Sequence, residues 1–296
     1  MIEVAQQVVD GLGQGSAYAL LALGLALIFG VMHLVNFAHG EPVTVAAYAV
    51  FGLALLGLPW WALALVAVGA ATLTSIAIEA VGFRRVRQAD DFTLLLTSFG
   101  IAVLVRAAFS MWVSTTPRQF RRPDWIFDTV RLGPLALETY DVVVIGVTLV
   151  TLAGTWYLLR RTMFGLALRA AAEDFDAARL MGARADRVIS GAFALAGLLA
   201  GIAAALILVR RGQAEPDMGL NILLPGLLAA IIGGLGRLEG AVLGGFALGV
   251  AESLFRAWIL PNSLSGLTDA AVFGLIALLF IFRPEGLLTS RKAERV

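Results

Sequence analysis

Residues 35–42, Val-Asn-Phe-Ala-His-Gly-Glu-Pro, place an amide (Asn36), an imidazole (His39) and a carboxylate (Glu41) within six positions. Those groups can donate and accept hydrogen bonds, carry a proton or ligate a metal. The metal reading is poor: His33 and His39 are the only histidines, and no third ligand follows at a suitable spacing. Cysteine is absent, which excludes disulfides, thiolate metal sites and thiol nucleophiles. No Gly-x-x-x-x-Gly-Lys-(Ser or Thr) stretch occurs, and the single lysine is Lys292, so hydrolysis of ATP by the usual phosphate loop is excluded. An enzyme needs a positioned set of acid, base and nucleophile, and no credible set is present. The octapeptide is therefore expected to bind or to bend rather than to make and break bonds, with no metal and no cofactor held by this chain.

The elements that must position it are apolar. Apolar residues fill 59% of the 296 positions and charged residues 15%, whereas a soluble domain carries about 25% charge. No acid, Lys or Arg separates Asp10 from Glu41, or Glu41 from Glu79, and each interval can cross a hydrocarbon core that needs roughly 20 apolar residues. The first run begins too late, and is followed by too many others, to be a cleaved signal peptide. Hydropathy read against charge predicts spans at Gly11–Met32, Pro42–Gly57, Pro59–Gly82, Phe92–Val113, Asp141–Leu159, Val188–Val209, Gly219–Leu235, Ala241–Phe255 and Thr268–Phe282. The second and the last three are short for a bilayer and are expected to tilt, break or re-enter. The expected fold is an all-α integral membrane protein, a polytopic bundle of about eight to ten transmembrane helices in one domain, 1–296.

Charge placement suggests an orientation. With residues 84–87, 160–187, Arg237 and the C-terminal tail on one side, that side holds 14 Lys and Arg against seven opposite, with Arg106 left inside a span. The positive-inside rule puts the richer side in the cytoplasm and the N-terminus outside, although the outer loop 114–140 has four arginines of its own. The octapeptide then lies at a cytoplasm-side break. Either it is a plain turn, with Gly40 and Pro42 as turn and helix-start residues, or it folds back so that Asn36 and His39 line a path or fix a hinge. Asn221, followed by Pro225, faintly echoes Asn36 and Pro42, too little to establish a repeat. Glycine pairs such as Gly233-Gly234 and Gly244-Gly245, and the small-residue run 191–205, predict close helix approach. Arg106 either snorkels or pairs, and Glu252 or Asp269 is a possible partner for Arg106 or Arg256.

The polar stretch Arg160–Val188 contains Ala-Ala-Ala-Glu-Asp-Phe-Asp-Ala-Ala-Arg-Leu-Met-Gly-Ala. Asp174 is placed to cap a helix of about two turns that Gly182 stops. Phe175, Ala178 and Met181 or Gly182 fall at helical spacing and predict one small apolar face. So short a helix is unstable alone; it docks either on its own bundle or on a soluble partner.

This stretch resembles the cytoplasmic coupling loop of ABC-importer permeases. Gly-Leu-Gly-Gln-Gly-Ser-Ala-Tyr-Ala-Leu running into Asn-Phe-Ala-His-Gly, within residues 11–41, closely resembles the opening of the LivH-type branched-chain amino acid permeases. Residues 233–253 are similar to that family's Gly-rich segment, and Phe282–Leu288 to its closing Pro-x-Gly signature. The resemblance implies an ABC-importer permease fold and a subunit of a bacterial inner-membrane importer. It implies partnership with a second related permease, two cytoplasmic ATPases that use ATP and magnesium, and a periplasmic binding protein. It assigns coupling to Glu173, Asp174, Phe175, Ala178, Met181 and Gly182, and pathway or hinge roles to Asn36, His39, Gly40, Glu41 and Asn221. Branched-chain or related amino acids are the implied cargo, with urea or short amides as the alternative within the same family. Departures at Leu224-Pro225-Gly226 and Arg237-Leu238-Glu239 leave the cargo open. An ion-coupled secondary transporter fits less well, since such proteins keep ionisable groups midway along their helices.

Overall fold

Apolar sequence without a proline or charge cluster becomes long helix here, and polar interruptions become breaks. The computed structural model describes residues 2–87, 89–132, 135–182, 184–258 and 274. Six helical stretches are long and apolar enough to cross a membrane: Glu3–Met32, Trp60–Phe83, Asp91–Trp112, Thr139–Arg161, Asp186–Arg211 and Leu238–Trp258, with Met218–Gly233 apolar but shorter. Eight of the nine expected spans are thus present as helices, and Thr268–Phe282, with Asp269 and the closing Phe282–Leu288 motif, lies outside the described residues. The fold is the all-α, polytopic one expected.

Two groups of three helices share one plan. In the first, α1 (Ile2–Met32) leads through a break to the short α2 (Glu41–Ala54) and then α3 (Trp60–Ala77), which ends in a π-helical turn, Ile78–Phe83. The peripheral helices α4 (Asp91–Trp112), α5 (Thr139–Arg161), α6 (Met163–Glu173) and α7 (Phe175–Leu180) follow. In the second group α8 (Ala185–Arg211) leads through a break to the short α9 (Met218–Gly233) and then α10 (Leu238–Trp258). The packing is reciprocal: α1 lies along α10 as α8 lies along α3, and α1 and α8 pack on each other. The α1 segment starts earlier than Gly11, because Gln6 donates to Asp10 one turn on (3.0 Å) and so keeps the polar first turns helical.

Small residues make the close approaches. A Cβ on Gly201 would stand 2.6 Å from the Val68 Cα, and one on Gly11 2.6 Å from the Val250 Cα. In lipid this close packing is what holds helices together. Ser75 reinforces the α3–α8 seam by donating to the Phe193 carbonyl at 2.7 Å.

The α4–α5 connection, expected as a loop, holds an antiparallel hairpin, β2 (Thr129–Leu132) with β3 (Leu135–Glu138). A second small pair joins β1 (Arg118–Gln119) to β4 (Gln213–Ala214). Asp90 caps α4, accepting from Thr93 N (3.3 Å) and Thr93 Oγ1 (2.7 Å), and the Thr93 hydroxyl holds its carboxyl below the usual range.

Candidate functional site: two helix breaks and a polar cavity

The first break folds back into the bundle. After Met32 the chain turns through His33, whose φ is +55°, and Asn36 then accepts from Ala38 N at 3.0 Å, capping a 3-10 turn over Phe37–Gly40. Phe37 N donates to Ser98 Oγ (3.2 Å), and the Phe37 and Phe99 rings meet edge to face at 6.4 Å, which fixes the turn on α4. The His39 ring reaches Gly24: a Cβ on that glycine would lie 2.6 Å from Nε2. Gly24 is eight residues before the end of α1, about 12 Å along its axis. The plain turn is therefore not what forms. Asn36, His39 and Glu41 are all buried, His39 with only 1% of its surface exposed. The ring nitrogens of His39 and Glu41 Oε2 make no hydrogen bond of ordinary geometry, an arrangement that costs stability.

The two breaks touch. Gly40 and Gly219 pack backbone to backbone, with a Cβ on Gly219 2.6 Å from both the Gly40 carbonyl oxygen and Thr44 Oγ1, and a Cβ on Gly40 in collision with the Gly219 carbonyl. No larger residue fits this crossing. Gly219 N, in the first turn of α9, donates to Thr44 Oγ1 at 2.9 Å. Asp217, just before α9, pairs with Arg106 at 2.5 Å. Arg106 thus pairs rather than snorkels, and its partner among the described residues is Asp217 rather than Glu252; Asp269 lies outside the described residues. Glu252 instead pairs with Arg256 at 2.8 Å.

Beside the second break, on the membrane face that carries the start of α1, a cavity of about 600 Å³ opens between α1, α5, α8, α9 and α10. Asn221 lines it, with Tyr18, Arg210, Arg211, Glu252 and Arg256. Gln14 donates to Tyr18 Oη (2.9 Å), which donates to Glu252 Oε2 (3.0 Å). Of the five residues expected to form a pathway or hinge, the structure gathers Asn36, His39, Gly40 and Glu41 at the first break and puts Asn221 in the cavity. Among the described residues no cluster of three or more His, Asp or Glu side chains can hold a metal.

On the opposite face α6 lies under the ends of α1, α5 and α8, and α7 packs on α6. Thr162 caps α6, accepting from Gly165 N at 3.2 Å, while Arg169 Nη1 donates to the Leu159 carbonyl. Asp174 caps α7, accepting from Ala177 N at 2.9 Å, and Gly182 follows with φ +93°. Glu173 and Asp174 are exposed. The expected single apolar face does not form as drawn. Ala178 is buried, whereas Met181 leaves the helical track at the C-cap (ψ 6°) and is 89% exposed, as is Leu180. Phe175 begins α7, and its side chain lies outside the described part of the structure. Arg87 and Asp186 pair at 2.8 Å, tying the start of α8 to the α3–α4 turn.

Residues 7–282 match the family model described as branched-chain amino acid transport system / permease component. The chain belongs to that family. It is 30% identical to the high-affinity branched-chain amino acid transport system permease protein BraD of Pseudomonas aeruginosa, over 98% of this chain and 97% of the relative. It is 29% identical to the corresponding permease protein LivH of Escherichia coli K12, again over 98% and 97%. A solved structure of PsaBC from Streptococcus pneumoniae in complex with Fab shares the fold at a TM-score of 0.53 and 14% identity, covering 93% of this chain and 91% of that one.

Sequence reasoning missed Thr44, Asp217, Gln14, Arg210, Arg211 and Leu180. Tyr18 stood inside the quoted Gly-x-x-x-Gly-Ser-x-Tyr pattern without a role. The Arg210-Arg211 doublet that ends an apolar span was visible, but nothing local tied it to the other cavity walls.

Proposed function

We propose that this permease is the membrane channel of an ATP-driven importer that carries branched-chain or related amino acids across the inner membrane. The cavity side is periplasmic and the α6–α7 side cytoplasmic. The observation that carries the reading is the capped α7 with Leu180 and Met181 turned away from the bundle. Two large apolar side chains at 89% exposure on a helix too short to stand alone are a docking knob, joined to the bundle through α6. Two cytoplasmic ATPases close on ATP and magnesium, press this knob, and rock α1 and α8 about the crossed breaks. A second, related permease completes the path, and a periplasmic binding protein delivers cargo to the cavity. This chain itself holds no cofactor.

The test is uptake of leucine, isoleucine and valine into vesicles carrying all subunits. Uptake is expected to need ATP and to stop with vanadate. Leu180→Glu with Met181→Glu is expected to abolish coupled ATPase activity while membrane insertion stays intact. Uptake driven by an ion gradient through this chain alone would overturn the proposal.

A further inference from the structure

The cavity has walls chemically suited to a particular kind of ligand. Its charged lining is three arginines and one glutamate. The glutamate is already engaged: Glu252 holds Tyr18 through one oxygen and Arg256 through the other, at 3.0 and 2.8 Å. Arg210 and Arg211 join no ion pair among the described residues. The Arg210 guanidinium lies over the Tyr140 ring, 5.0 Å from its centre, a contact that holds the group in place and keeps its charge. Asp141, buried behind Gly13, adds a negative charge outside the lining. The lining itself keeps two guanidiniums outside any ion pair among the described residues, with Arg210 also in the field of Asp141, and guanidinium forks match carboxylates.

The same lining also carries the opposite chemistry. Pro225 lies inside α9 and has no N–H to offer the carbonyl four residues earlier, which is that of Asn221. The Asn221 side chain lines the same space. Carbonyl and carboxamide oxygens there can accept from an ammonium. Ile222 and Leu248, both buried, supply an apolar wall.

The geometry points to a substrate site within the permease itself. Arg210 and Arg211 take the carboxylate of a small zwitterion, Asn221 takes its ammonium, and its aliphatic part lies on Ile222 and Leu248. This rests on the importer reading above and narrows it, because urea and short amides have no carboxylate to offer the arginine pair.

The chain has no cysteine, so Leu224→Cys, at a 37% exposed position in the lining, gives a single reporter thiol. In spheroplasts expressing the whole importer, its labelling by impermeant anionic sulfonatoethyl and cationic trimethylammonioethyl methanethiosulfonates is read on this chain by mass spectrometry. After correction for reactivity with free thiol, the anionic reagent is expected to label at least about fivefold faster. Arg210→Gln with Arg211→Gln is expected to bring the ratio close to one. Leucine is expected to slow labelling, whereas leucinamide and 3-methylbutylamine leave it unchanged.

A ratio at or below one in the parent overturns the site, and so does equal protection by leucinamide or no protection by leucine. These outcomes leave the importer reading standing if ATP-dependent, vanadate-sensitive uptake persists in the same preparation. Labelling only in inverted vesicles overturns the periplasmic placement instead.

Discussion

In the first half the chain leaves α1, caps its own 3-10 turn with Asn36 and buries His39 against Gly24. In the second it leaves α8 at Gly212, and α9 begins with no side-chain cap of its own; Thr44 of the first half satisfies its Gly219 N–H. The first break is buried and carries its own cap. The second is flanked by a half-exposed ion pair and opens on a cavity. The second break therefore depends on the first, and the reverse dependence is weaker. Two breaks at matching places thus differ in setting, one buried against α1 and the other lining a cavity.

The largest effect is expected where the two meet. Gly40→Ala or Gly219→Ala forces a Cβ into the opposing backbone and is expected to cost about 3 kcal/mol, the upper end of overpacking. The pair together should cost less than the two singles added, since one displacement relieves both. Melting followed by the fluorescence of the six tryptophans measures this. Gly69→Ala is the control: nothing lies within 4 Å of a Cβ there, and helix propensity predicts no loss. Equal melting of Gly40→Ala and Gly69→Ala would remove the crossing from the account.

Next is the borrowed cap. Thr44→Val keeps the shape of the side chain but leaves the buried Gly219 N–H without its acceptor, expected to cost about 2 kcal/mol. Hydrogen exchange should rise at the start of α9 and not at residues 37–40. A uniform rise across both breaks would contradict the one-way dependence.

How much of this was legible in the sequence follows the range of the interactions. The Asn36–Gly40 break and the Asp174 cap with Gly182 are local, set by residues two to eight positions apart, and their types announce them. The Gly40–Gly219 crossing is not announced, because its equivalent neighbours share a backbone path but not residue types: Thr44 faces Gly219, whereas Leu223 faces Gly40. The cavity was illegible for the same reason, its walls coming from five helices. Met181 misled because periodicity assumes the helix continues, and here it ends one residue earlier.

Asn36→Ala is expected to cost about 1 kcal/mol, the usual worth of a side-chain cap. Its effect should stay at the first break, with exchange rising at Ala38 and little change at Gly219. Spread of the change into α9 would show that the first break also steadies its neighbour through Asn36, tightening the link between the halves.

The smallest effect is expected at the Arg106–Asp217 pair. Both side chains are nearly half exposed, 45% and 43%, so solvent screens the attraction, and either single neutralisation is expected to cost under about 1 kcal/mol. The pair still bears on the comparison, because among the described residues no ion pair joins the first break. Arg106→Asp with Asp217→Arg should recover at least half of what each single reversal loses. Recovery locates the contribution in the pairing of α4 with the second break. Failure to recover would mean that Asp217 acts through the α9 helix dipole, which favours an acid at that end and rejects an arginine.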